Sequence, residues 1–357
     1  MRRVTAACLV ACCALMVGGC GSSTGSSQAG GSPAGGSSAR GEAVVLVSGL
    51  ATQTPYTTTT DACREGLSAG NSVSALRDRL VAAGNQVYTA PAQIGPGQVS
   101  ATTGIGSSNA CPSPLPSAMT IDTTAGIDQG GEHLAAFLSY LHDEHGVTAI
   151  HFVSHSMGGL FSRSAIGQVR SRIQGLAIRS VTTLSTPWTG AYPTDYAEGS
   201  LPLSVCGAEQ TCLKVLVDYK AKLSDVEGPQ GAANAIGSSD LQGPGGWNVA
   251  QGNDLAGIPV TLIGGDHFTR SDGNPRVWPN DGIVSASSAL AKGISGVPLE
   301  VRGCLLRPDV HTIGMAADLG LPWTSSVTWD PLVLDAVAAA VRSSNGGGPT
   351  ATRTAGC

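Results

Sequence analysis

Residues 43–47 (AVVLV) form an unbroken apolar run, the pattern of a strand buried on both faces of a sheet. Residues 86–90, 148–153, 178–184, 259–263 and 297–301 have the same short, β-branched character, bounded by Gly, Ser or Pro, and are expected as further strands. Between them the period changes. Over residues 72–83, Val73, Leu76 and Leu80 share one helical face, and Gly84 with Asn85 ends the pattern. Residues 127–144 carry the clearest helix, with Leu134, Phe137, Leu138 and Leu141 at i, i+3, i+4 and i+7. His133, His142 and His145 fall on its polar side or at its end, as solvated surface residues. A closing helix runs to residue 341, capped by Asp330 with Pro331 at its first position and Leu334, Val337, Ala338 and Val341 on one face. Strand–helix alternation at this spacing predicts an α/β fold, a mainly parallel sheet with helices on both faces. Residues 91–120 read as a long Gly/Ser/Pro-rich loop, and residues 191–257 break the rhythm.

The sharpest change of character lies at HFVSHSMGGL, residues 151–160. A strand gives way to Ser154, His155, Ser156, Met157, Gly158 and Gly159, and then a helix begins. A serine at the apex of a tight strand-to-helix turn is lifted clear of the backbone. The helix behind it points free N–H groups at any anion forming there. Small neighbours let strand and helix pass close to each other, and Ser154 stands where G-x-S-x-G has its first glycine. His155 adjoins the serine, but its side chain leaves the turn in another direction, so it is not the expected base.

VSHSMGGL resembles the serine elbow of bacterial lipases and esterases of the α/β-hydrolase superfamily. The resemblance implies an α/β-hydrolase fold. It extends to Ser48, Gly49 and Leu50 after the first strand, where lipases commonly have His-Gly-Leu, and to Ser185, Thr186, Pro187, Trp188, Thr189 and Gly190, where Trp188 takes a position often held by histidine. It implies that the Leu50 and Met157 amides form an oxyanion hole. PNDGIVSASSAL resembles the lipase segment that carries the triad acid, which assigns Asp281; Asp266, directly at a strand end, is the rival. His311, after the last strand, takes the place of the base, so that Ser156, Asp281 and His311 follow the superfamily's chain order. Residues 191–257 fall where such hydrolases often insert a lid or cap, with Leu213, Val215, Leu216 and Val217 as its apolar face; a pair of helices packed on the sheet is the other reading.

The ends of the chain add a location. Arg2 and Arg3 precede an apolar run at residues 6–17, too short to span a bilayer, and Val17, Gly18, Gly19 and Cys20 follow. This resembles a bacterial lipoprotein signal, residues 1–19, with Cys20 lipidated; plain secretion is the alternative. Residues 20–41 are a Gly/Ser-rich tether, residues 42–342 the catalytic domain, and residues 343–357 a C-terminal tail. Six cysteines remain in the exported part: Cys63, Cys111, Cys206, Cys212, Cys304 and Cys357. An even set in an exported protein reads as disulfides. Their pairing stays open, although 63–111, 206–212 and 304–357 would each bracket one loop region. No CxxC or HxxxH spacing supports a metal site.

A net charge of −5 without a basic block gives nucleic-acid binding no electrostatic support. The sequence therefore predicts a monomeric serine hydrolase of lipase/esterase type acting on lipid or other acyl esters. It would be membrane-associated through Cys20 and need no cofactor or metal. Some bacterial lipases bind structural calcium, but no ligand set stands out here. Acyl transfer to a cell-envelope acceptor by the same triad, and a non-catalytic binding lipoprotein on a hydrolase scaffold, are the alternatives.

Overall fold

The structure is a computed structural model that describes residues 41–61, 71–99, 113–226, 236–296 and 298–344, with backbone alone at residues 71 and 223–226. Cys20 with its signal, and Cys63, Cys111 and Cys357, lie outside the described residues.

Six parallel strands form the central sheet in the order β2-β1-β5-β6-β7-β8. They are β1 Glu42–Val47, β2 Gln86–Thr89, β5 Ala149–His155, β6 Ala177–Leu184, β7 Pro259–Gly265 and β8 Glu300–Arg307. Two short strands, β3 Ala92–Gln93 inside the expected loop and β4 Ile121–Asp122 just past its end, pair with each other. Residues of β1 alternate between two cores, as a pleated strand buried on both faces must. Ala43, Val45 and Val47 face one core, where Leu134, Phe137, Leu138 and Leu141 of α2 (Ile127–His145) and Phe161, Ala165 and Ile166 of α3 (Gly158–Arg172) pack. Val44 and Leu46 face the other, with Val73, Leu76 and Leu80 of α1 (Asn71–Ala82) and Val333, Val337 and Val341 of the closing helix (Pro331–Ser344). Helices thus cover both faces, and this order of strands is the α/β-hydrolase arrangement.

Two boundaries move. The last strand is β8, Glu300–Arg307, and not residues 297–301; as the edge strand it is only partly buried, so its polar Glu300, Arg302 and Arg307 broke the apolar pattern. The closing helix runs to Ser344, two residues past the expected domain end at 342; Asp330 Oδ1 accepts from the Leu332 amide at 2.8 Å and caps it. Among the α2 histidines, His133 and His142 are half-buried and bond the carbonyls of Thr120 and Val147, each at 2.7 Å. His145, exposed, meets the hydroxyls of Tyr56 and Tyr140 at 3.2 Å each.

The stretch between β6 and β7 holds helices α4 (Tyr192–Ala197), α5 (Gln210–Val226), α6 (Ser238–Gln242) and α7 (Trp247–Ala250). Its first part has a small core of its own: Tyr192, Leu201, Cys206, Cys212 and Leu216 pack with Val277 and Trp278. Cys206 and Cys212 are joined by a disulfide. Cys304 is also disulfide-bonded, to a partner outside the described residues. Leu216 of α5 is buried and Leu213 and Val215 half-buried, but Val217 is exposed, so the run has one inward and one outward side. The second part is pinned to α3. Fully buried Arg163 donates to Asn248 Oδ1 at 2.7 Å and to the Asn248 carbonyl at 3.1 Å, beneath the Trp247 ring. Trp247 Nε1 in turn donates to Asp128 of α2 at 2.9 Å.

Candidate active site

The order in which strands are added reverses at β1, with β2 on one side of it and β5 to β8 on the other. A crevice opens at the carboxyl ends of such strands. Val47, the last residue of β1, pairs with Ser154 of β5, so the turns leaving both strands start side by side. Ser156 is held at φ 55°, a left-handed conformation that costs a serine about 1–2 kcal/mol. It is half-buried where its neighbours in the turn are buried, so its hydroxyl has access to solvent.

Close packing around this turn accounts for its glycines. A Cβ at Gly159 would come 2.3 Å from Thr186 Oγ1, and one at Gly158 would come 2.5 Å from the Val47 carbonyl. Helix α3 therefore starts hard against β1 and the end of β6. Gly49 is confined from the other side, because a Cβ there would lie 2.6 Å from Ser156 Cβ and 2.8 Å from the Met157 nitrogen. That contact brings the turn carrying Leu50 against the turn carrying Met157. Neither the Leu50 nor the Met157 N–H has an acceptor among the described residues.

His311 Nε2 lies 3.0 Å from Ser156 Oγ, and His311 Nδ1 lies 2.8 Å from Asp281 Oδ2. A carboxylate can only accept, so Nδ1 carries the proton and Nε2 faces the serine hydroxyl as acceptor. Asp281 follows β7 and His311 follows β8, adjacent strands of the sheet. The two loops are also tied by a 2.8 Å bond from the His311 amide to the Asp281 carbonyl. Asp281 is fully buried. Burial alone would raise its pKa, but the charge and hydrogen bond of His311 and the Val284 amide outweigh it and hold the carboxyl below its ordinary value. Its other oxygen, Oδ1, accepts from the Ile283 and Val284 amides at 3.0 and 2.7 Å. Asp266 does not join this line; its amide bonds the Arg307 carbonyl at 2.8 Å, and burial pushes its carboxyl pKa up.

Three neighbours brace the site in ways that no spacing in the sequence shows. His155 lies behind His311 and bonds its carbonyl. Tyr192 donates to the Gly282 carbonyl at 2.6 Å and Asn280 Oδ1 at 3.3 Å, bracing both residues that flank Asp281. Thr186 donates to the Ser156 carbonyl at 2.8 Å. The Thr-Pro pair after β6 marked that turn, but no spacing in sequence links it to the elbow. Trp188, in the place where histidine was noted, is a core residue, fully buried and donating to Thr183 Oγ1 at 3.2 Å. Among the described residues no group of three or more His, Cys, Asp or Glu side chains stands close enough to hold a metal ion.

Residues 116–200, which include the elbow, match the family described as "Putative serine esterase (DUF676)", less than a quarter of the chain. No curated protein matches the chain significantly in sequence. The chain is similar in structure to the mature lipase BlEst2 of Bacillus licheniformis, with 13% identity, 86% of this chain and 96% of that chain covered, and a TM-score of 0.44. The propeptide form of the same lipase covers 72% of this chain at 15% identity and a TM-score of 0.41; the chain spans only 45% of that form's length. Est1E of Butyrivibrio proteoclasticus, with ferulic acid bound, is 14% identical, with 86% and 90% covered and a TM-score of 0.43. At these scores the fold rests on the strand order, and the chemistry on the residues around Ser156.

Proposed function

We propose that the chain is a serine hydrolase that cleaves carboxylic esters through an acyl-enzyme on Ser156. The observation that carries this reading is the unbroken line from Ser156 Oγ through His311 to Asp281, at 3.0 and 2.8 Å, with the serine at a left-handed apex. Ser156 Oγ attacks the acyl carbonyl while His311 Nε2 takes its proton. The carbonyl oxygen, now an anion, is received by the Leu50 and Met157 amides, each worth about 3–4 kcal/mol in sites of this kind. His311 then returns the proton to the leaving alkoxide oxygen, and the alcohol departs. Water, deprotonated by the same imidazole, attacks the acyl-enzyme and releases the acid. Asp281 keeps the proton on Nδ1 throughout and stabilises the imidazolium.

A fluorophosphonate probe and a panel of p-nitrophenyl esters from acetate to palmitate test the reading. Labelling and turnover should both vanish in Ser156→Ala and persist in the wild type. Turnover that survives in Ser156→Ala would refute the assignment. Product analysis with added alcohol acceptors separates hydrolysis from acyl transfer.

Export as a lipoprotein belongs to the same proposal, supported by Arg2, Arg3, the apolar run at residues 6–17 and Cys20 before a Gly/Ser tether. Labelled palmitate should reach the wild type and not Cys20→Ala. Label on the Cys20→Ala protein would exclude Cys20 as the anchor.

A further inference from the structure

We propose that Thr52 and Thr186 are a matched pair of positioning residues that aim and polarise the two oxyanion amides. The proposal rests on the reading of Leu50 and Met157 as oxyanion donors. A peptide unit is planar, with its carbonyl oxygen and its N–H pointing opposite ways. The Leu50 N–H belongs to the same unit as the Gly49 carbonyl, and the Met157 N–H to the same unit as the Ser156 carbonyl. Thr52 Oγ1 donates to the Gly49 carbonyl at 2.6 Å. Thr186 Oγ1 donates to the Ser156 carbonyl at 2.8 Å. Each of the two N–H donors is therefore held from the far end of its own peptide by a threonine hydroxyl.

The two turns come from different strands and differ in sequence, yet they share this contact. A left-handed residue sits in each, Ser156 at φ 55° directly before Met157 and Ala51 at φ 52° directly after Leu50. A left-handed non-glycine residue is strained, and turning an adjacent peptide over is the natural way to relax it. The Ser156–Met157 peptide adjoins Ser156, so its flip would swing the Met157 N–H away and present a carbonyl oxygen to the developing anion; the Thr186 bond opposes that flip. The Gly49–Leu50 peptide is one removed from Ala51, and the Thr52 bond fixes its orientation directly. Both bonds also strengthen the donors, because a carbonyl that accepts a hydrogen bond polarises the N–H at the other end of its amide.

The hydroxyls are themselves fixed. The Thr52 carbonyl accepts from Thr123 Oγ1 at 3.1 Å, which ties its turn to the segment after β4. Thr186 is fully buried against Gly159, whose missing side chain leaves room for the hydroxyl. Neither hydroxyl bonds Ser156 Oγ, His311 or Asp281, so any effect on chemistry passes through the amides.

Thr52→Val, Thr186→Val and the serine variants of both, assayed on p-nitrophenyl butyrate and with an alkyl trifluoromethyl ketone, test the pair. The ketone adds to the Ser156 hydroxyl to form a hemiketal whose oxygen needs the hole. Each valine variant should lose about tenfold in kcat with KM within about twofold, and bind the ketone about tenfold more weakly. The serine variants, which keep the hydroxyl, should recover most of both. Valine variants that match the wild type in kcat and ketone affinity, or serine variants as impaired as the valine ones, would overturn the proposal. If buried Thr186→Val does not fold, half-buried Thr52→Val with Thr52→Ser decides the outcome. Ser156→Ala on the same substrate separates the two readings. A dead Ser156→Ala beside fully active valine variants refutes only the threonine pair, whereas an active Ser156→Ala refutes the esterase reading itself.

Discussion

His155 donates its Nε2 proton to the backbone carbonyl of His311 across 3.0 Å, and the two rings lie tilted with centroids 4.8 Å apart. The residue just before the proposed nucleophile thus holds the residue proposed as its base. Ser156 and His311 come from turns after different strands, and this bond joins those turns within the buried part of the site. His155 Nδ1 is buried with no partner among the described residues. Burial first, and the neighbouring His311 second, hold the His155 pKa down to about 3, so the ring stays neutral while it braces the turn.

His155→Phe should expose both roles. Without the donor, the His311 carbonyl is unpaired and the ring drifts from Ser156; kcat should fall about tenfold with little change in KM. Stability should respond to pH. The unfolded histidine takes up a proton near pH 6.5 and the folded one only near pH 3. The stability tied to this group is complete above pH 6.5 and is lost as pH falls toward 3, by about 1.4 kcal/mol per pH unit. His155→Phe lacks that loss. Urea midpoints at pH 7.5, 6 and 5 should show the variant gaining on the wild type as pH falls; a constant gap would mean that the ring is charged in the folded protein.

A second buried group pulls the other way. Asp309 lies two residues before His311, buried beside Asp330, which Arg307 Nε meets at 2.7 Å. Burial, then the charge of Asp330 and a hydrogen bond shared with it, pushes the Asp309 pKa up to about 7 against the opposing charge of Arg307. A raised folded pKa places the stability below pH 4 and removes it as pH rises through 7. Asp309→Asn keeps the shape and has no proton to lose. It should therefore gain stability relative to the wild type between pH 4 and 7 and hold the gain above pH 7. A gap independent of pH, read from the same urea midpoints, would mean that Asp309 is ionised throughout.

Most of the frame was legible because it depends on local pattern. The unbroken apolar run of β1, the i, i+3, i+4 spacing of α2 and the glycine pair after Ser156 each follow from burial or close approach at that position. The edge strand was misplaced because half-burial leaves no continuous apolar run. The braces were not legible because each joins distant parts of the chain: His155 to His311 spans 156 positions, Tyr192 to Gly282 90, and Thr186 to Ser156 30. Sequence spacing carries no trace of such contacts until the sheet order brings strand ends together.

The segment between β6 and β7 illustrates the same limit. Its composition leaves a lid and a pair of packed helices both open, and within it Arg163 ties down residues 248–252, its guanidinium meeting Asn248 twice and the Gly252 carbonyl at 3.5 Å. Burial lowers the Arg163 pKa to about 10, against the favourable charge of Asp254, so it stays charged at neutral pH. Arg163→Ala would leave these acceptors unpaired and a hole beneath Trp247, a loss of about 3–5 kcal/mol. Hydrogen exchange should quicken at residues 247–257 before it does in the sheet. Uniform quickening across the whole domain would show that the segment has no separate opening.

The two aspartates after β7 separate mechanism from scaffold. Asp281 reaches His311 Nδ1 at 2.8 Å, while Asp266 follows the end of the strand with its amide on Arg307. Asparagine at 281 can still fill the space, but its NH₂ group facing Nδ1 favours the tautomer that carries its proton on Nε2. That nitrogen can then no longer accept from Ser156, and losses on the order of 10⁴ in turnover follow from this fault in a serine triad. Asp266→Asn disturbs no proton on the path from Ser156; it should keep most of its turnover and shift stability by about 1 kcal/mol or less. The pair should therefore split: Asp281→Asn folded and nearly inactive on p-nitrophenyl butyrate, Asp266→Asn folded and active. Ser156→Ala, His311→Ala and their double variant should each fall to about the same residual rate, at or below that of Asp281→Asn, since groups acting as one unit do not add. A dead Asp266→Asn beside an active Asp281→Asn would move the acid to the strand end and leave the NDGIV turn a structural one.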